Sequence, residues 1–188
     1  MMFKRRITIF LFLFYVLLLN AAAGTSCSGS EVKEKETRPK HWAVAIERES
    51  LPNFYKVSDT LYRGAQPRKQ GFEELKKLGI KTVVNLRGSS RERILVEEAG
   101  LKYYQIPMFA AFPKKKKFAR FLEIVSDPSN HPVFVHCKHG ADRTGAAVAI
   151  YRIKIQNWNV EESINEMVYG GYNFHRIYSN LKKFVRKF

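Results

Sequence analysis

Cys137 and Arg143 stand with five residues between them in the run His136-Cys137-Lys138-His139-Gly140-Ala141-Asp142-Arg143-Thr144-Gly145. Sulfur attacks an electrophile as the thiolate. A free cysteine ionises only near pH ~8.5, so a reactive one needs hydrogen-bond donors and positive charge around it. The same donors bind a phosphate. Arginine's planar fork matches two phosphate oxygens at once, which the point charge of lysine does not. Backbone amides of the intervening residues, bent inward with the help of Gly140 and Gly145, would converge on the same anion. The chemistry implied is phosphoryl transfer to sulfur. Cys137 would be the nucleophile and Arg143 the clamp, with Lys138, His139, Gly140, Ala141 and Thr144 as the phosphate cradle. A lone cysteine is more commonly a small buried hydrophobe, but Lys138, His139, Asp142 and Arg143 would not crowd an inert core thiol.

Such a loop needs rigid elements on both sides. Before it runs Pro132-Val133-Phe134-Val135, apolar and β-branched, which reads as a buried strand. After it, Ala146-Ala147-Val148-Ala149-Ile150 reads as the opening of a buried helix. A helix N-terminus adds partial positive charge, worth ~0.3–1 kcal/mol to a nearby anion and at most ~2. Most of the stabilisation therefore has to come from direct donors. Elsewhere the pattern alternates. Phe54 to Val57 and Leu61 to Arg63 predict short strands about a Ser58-Asp59 turn. Phe72 to Leu78 predicts a helix stopped by Gly79, and Lys81 to Leu86 a strand. Arg91 to Ala99 predicts a helix closed by Gly100, Leu101 to Ile106 a strand, and Lys115 to Val125 a helix with Phe118, Phe121, Leu122 and Val125 on one face. Two helices follow near Val160 to Met167 and Ile177 to Phe188. Strands separated by helices give an α/β fold class: a mostly parallel central sheet flanked by helices, with ligands at the carboxyl ends of its strands.

The run Cys, five residues, Arg, Thr resembles the signature of the cysteine-dependent protein tyrosine phosphatase superfamily. Its wording is similar to the small dual-specificity-like branch of bacteria, plants and fungi. Leu61-Tyr62-Arg63-Gly64-Ala65-Gln66-Pro67 and Val83-Val84-Asn85-Leu86-Arg87 resemble further pieces of that branch, and the likeness spans roughly residues 50 to 188. The resemblance implies a protein tyrosine phosphatase-like fold and a phosphocysteine intermediate hydrolysed by water. Thr144 would help the thiolate leave, and His136 would orient the loop from behind. No metal or other cofactor is implied, and no metal-ligand spacing occurs.

One expected part is missing. The superfamily commonly carries an aspartate as general acid on a separate loop ahead of the cysteine. Here that region reads Pro107-Met108-Phe109-Ala110-Ala111-Phe112-Pro113, without a carboxylate. General acid catalysis is worth about 10²–10⁴-fold. Asp142, inside the cysteine loop, is the candidate substitute; its alternative is a structural role facing outward. Glu97, Glu98, Glu123 and Asp127 are further candidates, each also readable as a solvated charge. A third reading dispenses with the acid because the leaving group is itself acidic, as in aryl phosphates and inositol pyrophosphates. Two rival functions stay open: a phosphate-binding module with little turnover, and a sulfurtransferase, against which the Arg143-Thr144 pair argues. The apolar residues of the missing-acid loop would form either a hydrophobic lid or a packed connection.

Lys4-Arg5-Arg6, then an apolar run from Ile7 to Leu19 broken only by Thr8, then Ala21-Ala22-Ala23, read as a signal peptide over residues 1–23. The run is short of the ~20 residues a comfortable membrane span needs. Thr25-Ser26-Cys27 resembles the end of a bacterial lipobox, with Gly24 where a large aliphatic residue is usual. Cleavage would then follow residue 26, with Cys27 lipidated. Simple secretion to the periplasm, membrane anchoring through Cys27 and an uncleaved signal anchor are the alternatives. Residues 24–50 read as a polar tether, with His41 to Ile46 as a segment able to pack on the domain, and residues 51–188 as the catalytic domain. Cys27 and Cys137 are the only two cysteines. The net charge is +16, and Lys114-Lys115-Lys116-Lys117 is placed to flank the pocket. This favours phosphorylated anionic substrates, either phosphoproteins or inositol phosphates and phosphoinositides, and an anionic membrane surface. Nucleic acid fits poorly, since no recognised basic-aromatic module occurs. Lys138 and His139 favour multiply phosphorylated ligands, and Arg63 and Arg87, near strand ends, are expected at the same rim.

Overall fold

The computed structural model describes residues 38–188. Along the chain run β1 (Val44–Ala45), β2 (Tyr55–Lys56), β3 (Leu61–Gly64), α1 (Gly71–Lys77), β4 (Thr82–Asn85), α2 (Arg93–Glu98) and β5 (Lys102–Gln105). There follow α3 (Lys115–Ser126), β6 (Val133–His136), α4 (Asp142–Lys154), α5 (Val160–Tyr169) and α6 (Asn180–Arg186), with single 3₁₀ turns at Pro128–Asn130 and Arg176–Tyr178. One six-stranded sheet has the order β1-β2-β3-β6-β4-β5. The β3–β6, β4–β6 and β4–β5 pairs are parallel, while β1–β2 and β2–β3 are antiparallel. The expected mostly parallel sheet is present, extended at one edge by an antiparallel ribbon.

The strand period of two assigns the layers. Val133 and Val135 of β6 and Val84 of β4 pack with Phe118 and Phe121 of α3, Ile150 of α4, Met167 of α5 and Leu181 of α6. The alternate residues Phe134 and Val83 face the other side, with Phe72 and Leu75 of α1 and Val96 of α2. β6 is therefore buried on both faces, as an apolar run in a parallel sheet requires. Helix α4 is buried along most of its length, from Thr144 to Arg152. It lies between the sheet and helices α5 and α6, which explains its lack of an amphipathic stripe.

Residues 38–50 belong to one compact unit with the rest of the described chain, Arg38–Phe188. Three hydrogen bonds tie the last part of the expected tether down. Arg38 donates to the Gly170 carbonyl at 3.2 Å and to the Tyr172 hydroxyl at 3.0 Å. The Ala43 amide donates to Glu166 Oε1 at 2.7 Å. Trp42 and Ala43 are buried, and β1 pairs with β2. The signal peptide, Cys27 and the first part of the tether lie outside the described residues.

Candidate active site

Strand β6 ends at His136, beside the ends of β3 and β4: His136 is in register with both Gly64 and Asn85. Cys137 follows, and Asp142 already opens α4. Between them the loop's carbonyls are held from outside. Gln66 N–H donates to the Lys138 carbonyl at 3.3 Å, the Asn53 side-chain amide to His139 at 2.8 Å, and Arg63 Nη2 to Gly140 at 2.6 Å. In a planar trans peptide the N–H points opposite to the C=O. The amides of His139, Gly140 and Ala141 are thus turned inward, and among the described residues they donate to no acceptor. The first amides of α4 are free as well, as at any helix start. Gly140 has φ +71°, and a Cβ there would stand 2.5 Å from the Gly64 carbonyl carbon. Only glycine fits.

Cys137, the first residue of the loop, is buried, 2% exposed. The Thr144 hydroxyl is fully buried and has no hydrogen-bond partner among the described residues. Arg143 is half-buried and makes no hydrogen bond or ion pair among the described residues, so its fork is free. The loop therefore carries, within a few consecutive residues, amides, a guanidinium and a hydroxyl without partners among the described residues: a set of donors suited to an anion.

Behind the loop the wall is charged. His136 Nε2 lies 2.8 Å from Glu92 Oε1, and His136 Nδ1 lies 3.2 Å from the Cys137 carbonyl. This is the position the resemblance implied for His136. Arg63 was expected at the rim; it is instead fully buried. β3 is an inner strand, and its Arg63 side chain turns under the loop, the guanidinium 3.5 Å above the Tyr172 ring. Nε and Nη1 of Arg63 have no hydrogen-bond partner among the described residues. Burial lowers its proton affinity, offset in part by Tyr172, Glu166 and Cys137, and an arginine remains charged regardless. Tyr172, buried, has its phenol pushed up to about 12 by that burial. It donates to Glu166 Oε1 at 3.1 Å. Arg87 pairs with Glu92 at 3.5 Å.

A cavity of about 400 Å³ opens over the loop, lined by Met108, Phe109, Ala110, Lys138, His139, Asp142, Arg143, His175, Ile177 and Tyr178. The loop without a carboxylate forms one wall of it. Asp142 faces this cavity, but both its oxygens are engaged: Oδ1 accepts the His175 amide at 2.9 Å, and Oδ2 meets His175 Nδ1 at 2.8 Å. Of the other carboxylates considered, Glu97 pairs with Arg93, Glu123 with Arg120, and Asp127 caps the turn at Ser129; neither these nor Glu98 line the cavity. A larger surface groove of about 940 Å³ runs along α1, past Glu49, Ser50, Arg68, Glu73, Glu74 and Lys77, and holds no cysteine. Among the described residues no group of three His, Cys, Asp or Glu side chains is placed to hold a metal ion. Sequence reasoning passed over Glu92, His175, Tyr172 and Asn53. Each acts through a partner far away in the chain, so no local spacing marks it.

A family model described as "Tyrosine phosphatase family" matches residues 50–188. The dual specificity protein phosphatase TpbA of Pseudomonas aeruginosa is 33% identical over 160 residues, 83% of this chain and 72% of that protein. Its crystal structure superposes with a TM-score of 0.72 at 32% identity, covering 81% of this chain and 93% of the other. A second TpbA structure, in complex with phosphotyrosine, gives a TM-score of 0.70. The inositol diphosphatase SIW14 of Saccharomyces cerevisiae is 31% identical over 133 residues, 64% of this chain but 47% of that protein. On the strength of this match and of the cysteine loop with its vacant donors, the chain belongs to the tyrosine phosphatase family, as a phosphatase of the dual-specificity type in the branch shared by TpbA and SIW14.

Proposed function

We propose that this chain removes phosphoryl groups from multiply anionic substrates by way of a phosphocysteine on Cys137. The observation that carries this is the run of inward-turned amides without acceptors that follows Cys137, with the free Arg143 fork on the cavity wall. Cys137 Sγ attacks phosphorus as the bond to the leaving oxygen breaks. Arg143 and the amides of Lys138 to Asp142 take the equatorial oxygens, where charge is spread in the transition state. Water then attacks the phosphocysteine and the thiolate departs. Thr144, whose hydroxyl has no partner among the described residues, would receive it by hydrogen bond.

The cavity wall supplies Lys138, Arg143, His139 and His175 against the single carboxylate Asp142. That balance supports inositol phosphates and pyrophosphates first, and phosphotyrosine second. SIW14 is named an inositol diphosphatase and TpbA is solved with phosphotyrosine, so relatives stand on both sides. A phosphate-release screen of phosphopeptides, phosphoinositides and inositol polyphosphates tests the assignment, with Cys137→Ser as control. Turnover of inositol species above phosphopeptides, abolished in Cys137→Ser, is expected. Binding without release from any substrate would mark a phosphate-binding module instead. The basic then apolar leader supports export, to the periplasm or to a membrane through a lipid on Cys27. Palmitate labelling of wild type but not of Cys27→Ser would select the lipidated form.

A further inference from the structure

We propose that His175, held by Asp142, is the general acid of this phosphatase, in place of the carboxylate missing from residues 107–113. The inference rests on the phosphatase reading above. His175 lines the same cavity as Arg143 and the apolar loop. Asp142 fixes it twice, through the backbone amide and through Nδ1. A carboxylate on Nδ1 keeps that nitrogen protonated and fixes the ring, so Nε2 is the nitrogen left to carry a transferable proton. Nε2 has no hydrogen-bond partner among the described residues, and the side chain is 45% exposed and lines the cavity. Asp142 is then a positioning residue, and the proton its own oxygens are too occupied to deliver is carried by its partner. His139, whose ring centroid lies 5.4 Å from that of His175, has no carboxylate to orient it.

The steps balance. In the first, the Cys137 S–P bond forms and the P–O bond to the leaving group breaks, and His175 Nε2 gives its proton to that oxygen. In the second, water attacks phosphorus, the S–P bond breaks, and the water's proton returns to Nε2. The groups facing His175 are Asp142, His139 and Tyr178, with the cations Lys138 and Arg143 across the cavity and Arg176 next in the chain.

The test is kcat/KM of the full chain over a series of aryl phosphates of rising leaving-group basicity, for wild type, His175→Gln, His175→Asn and Asp142→Asn. The histidine variants are expected to lose about 10²–10⁴-fold with the most basic leaving group and far less with the most acidic. Their alkaline limb in the pH profile disappears, because no acid remains to deprotonate. Asp142→Asn shifts that limb without removing it. An equal loss across the series, or an unmoved limb, overturns the proposal; so does a steepened series in Asp142→Asn with none in the histidine variants, which makes Asp142 the acid. If instead wild type turns over no aryl phosphate and Cys137→Ser behaves identically, the phosphatase reading itself has failed.

A separate observation concerns the mouth of the cavity. Phe109, Phe112 and Ile177 are 71%, 76% and 83% exposed. Phe109 and Ile177 line the opening, and Asn180 binds the Ala110 and Ala111 carbonyls, so the two segments form one rim. Lys114 to Lys117 follow directly, and among the described residues none of the four makes an ion pair. We infer that this rim seats on an anionic membrane surface, with the apolar tips in the headgroup boundary and the lysines over the lipid phosphates. Vesicle sedimentation of the full chain should show more binding to phosphatidylcholine vesicles containing phosphatidylglycerol than to phosphatidylcholine alone. The excess should fall at least tenfold in F109S/F112S/I177S and with added salt. An unchanged excess in that variant overturns the inference. So does a variant whose only defect is a raised KM for a phosphopeptide, which would make the rim a peptide contact.

Discussion

Arg143 is the residue whose chemistry is least replaceable. Its fork is unpaired in the free protein, so nothing has to be broken before a phosphate binds. Lysine keeps the charge but loses the two-point match to the equatorial oxygens. Arg143→Lys is expected to lower kcat by about 10²–10³-fold with little change in melting temperature, read by steady-state kinetics and thermal unfolding. Arg63 makes the contrasting case. Its charge is buried under the loop, bonded to the Gly140 carbonyl and stacked on Tyr172. It acts on the phosphate only by holding the cup in shape and by adding positive potential from below. The sequence reading put it at the rim because arginines at strand ends are usually solvated. A strand flanked on both sides leaves its inward residue nowhere else to go.

At the scale of elements, the strand–loop–helix unit was legible because all its chemistry is consecutive in the chain. The β-branched run, the glycines and the apolar helix each carried a local signal. The supports were not legible, since they come from elsewhere: Arg63 reaches Gly140 across 77 positions, and His175 reaches Asp142 across 33. Asp142 was legible as the one carboxylate inside the loop, but its partner was not, because the imidazole that meets it comes from the segment after α5. The antiparallel ribbon of β1 and β2 was half seen, as two residues per strand give almost no period to count. Gly140→Ala tests the unit as a whole. A left-handed backbone costs a non-glycine residue about 1–2 kcal/mol, and the added Cβ meets Gly64 and Ala65. Inhibition by inorganic phosphate should weaken about tenfold or more, since ~1.4 kcal/mol is one decade, and circular dichroism should stay native.

Over the whole molecule, the site is braced by a buried network that joins the N-terminal segment to α4 and α5. Arg152 gives Glu166 a two-point bond at 2.8 and 2.9 Å, and Glu166 also accepts from Ala43 and Tyr172. Burial pushes the Glu166 carboxyl up, but Arg152, the Ala43 amide and Arg63 outweigh it and hold it below the ordinary value. The sign follows from linkage: the unfolded chain takes up this proton first. The contribution is complete above about pH 4.5 and is lost as the pH falls from there through the lower folded value. Glu166→Gln leaves Arg152 buried and unpaired, which costs about 3–5 kcal/mol. Urea unfolding at pH 7 should show that loss, and the gap from wild type should narrow in acid. The account as a whole turns on phosphorus bonding to one sulfur. Acid quenching during turnover of the chain's best substrate, followed by peptide mapping by mass spectrometry, should find phosphate on Cys137 and on no other residue. Turnover with an unmodified Cys137, or undiminished in Cys137→Ser, would contradict it.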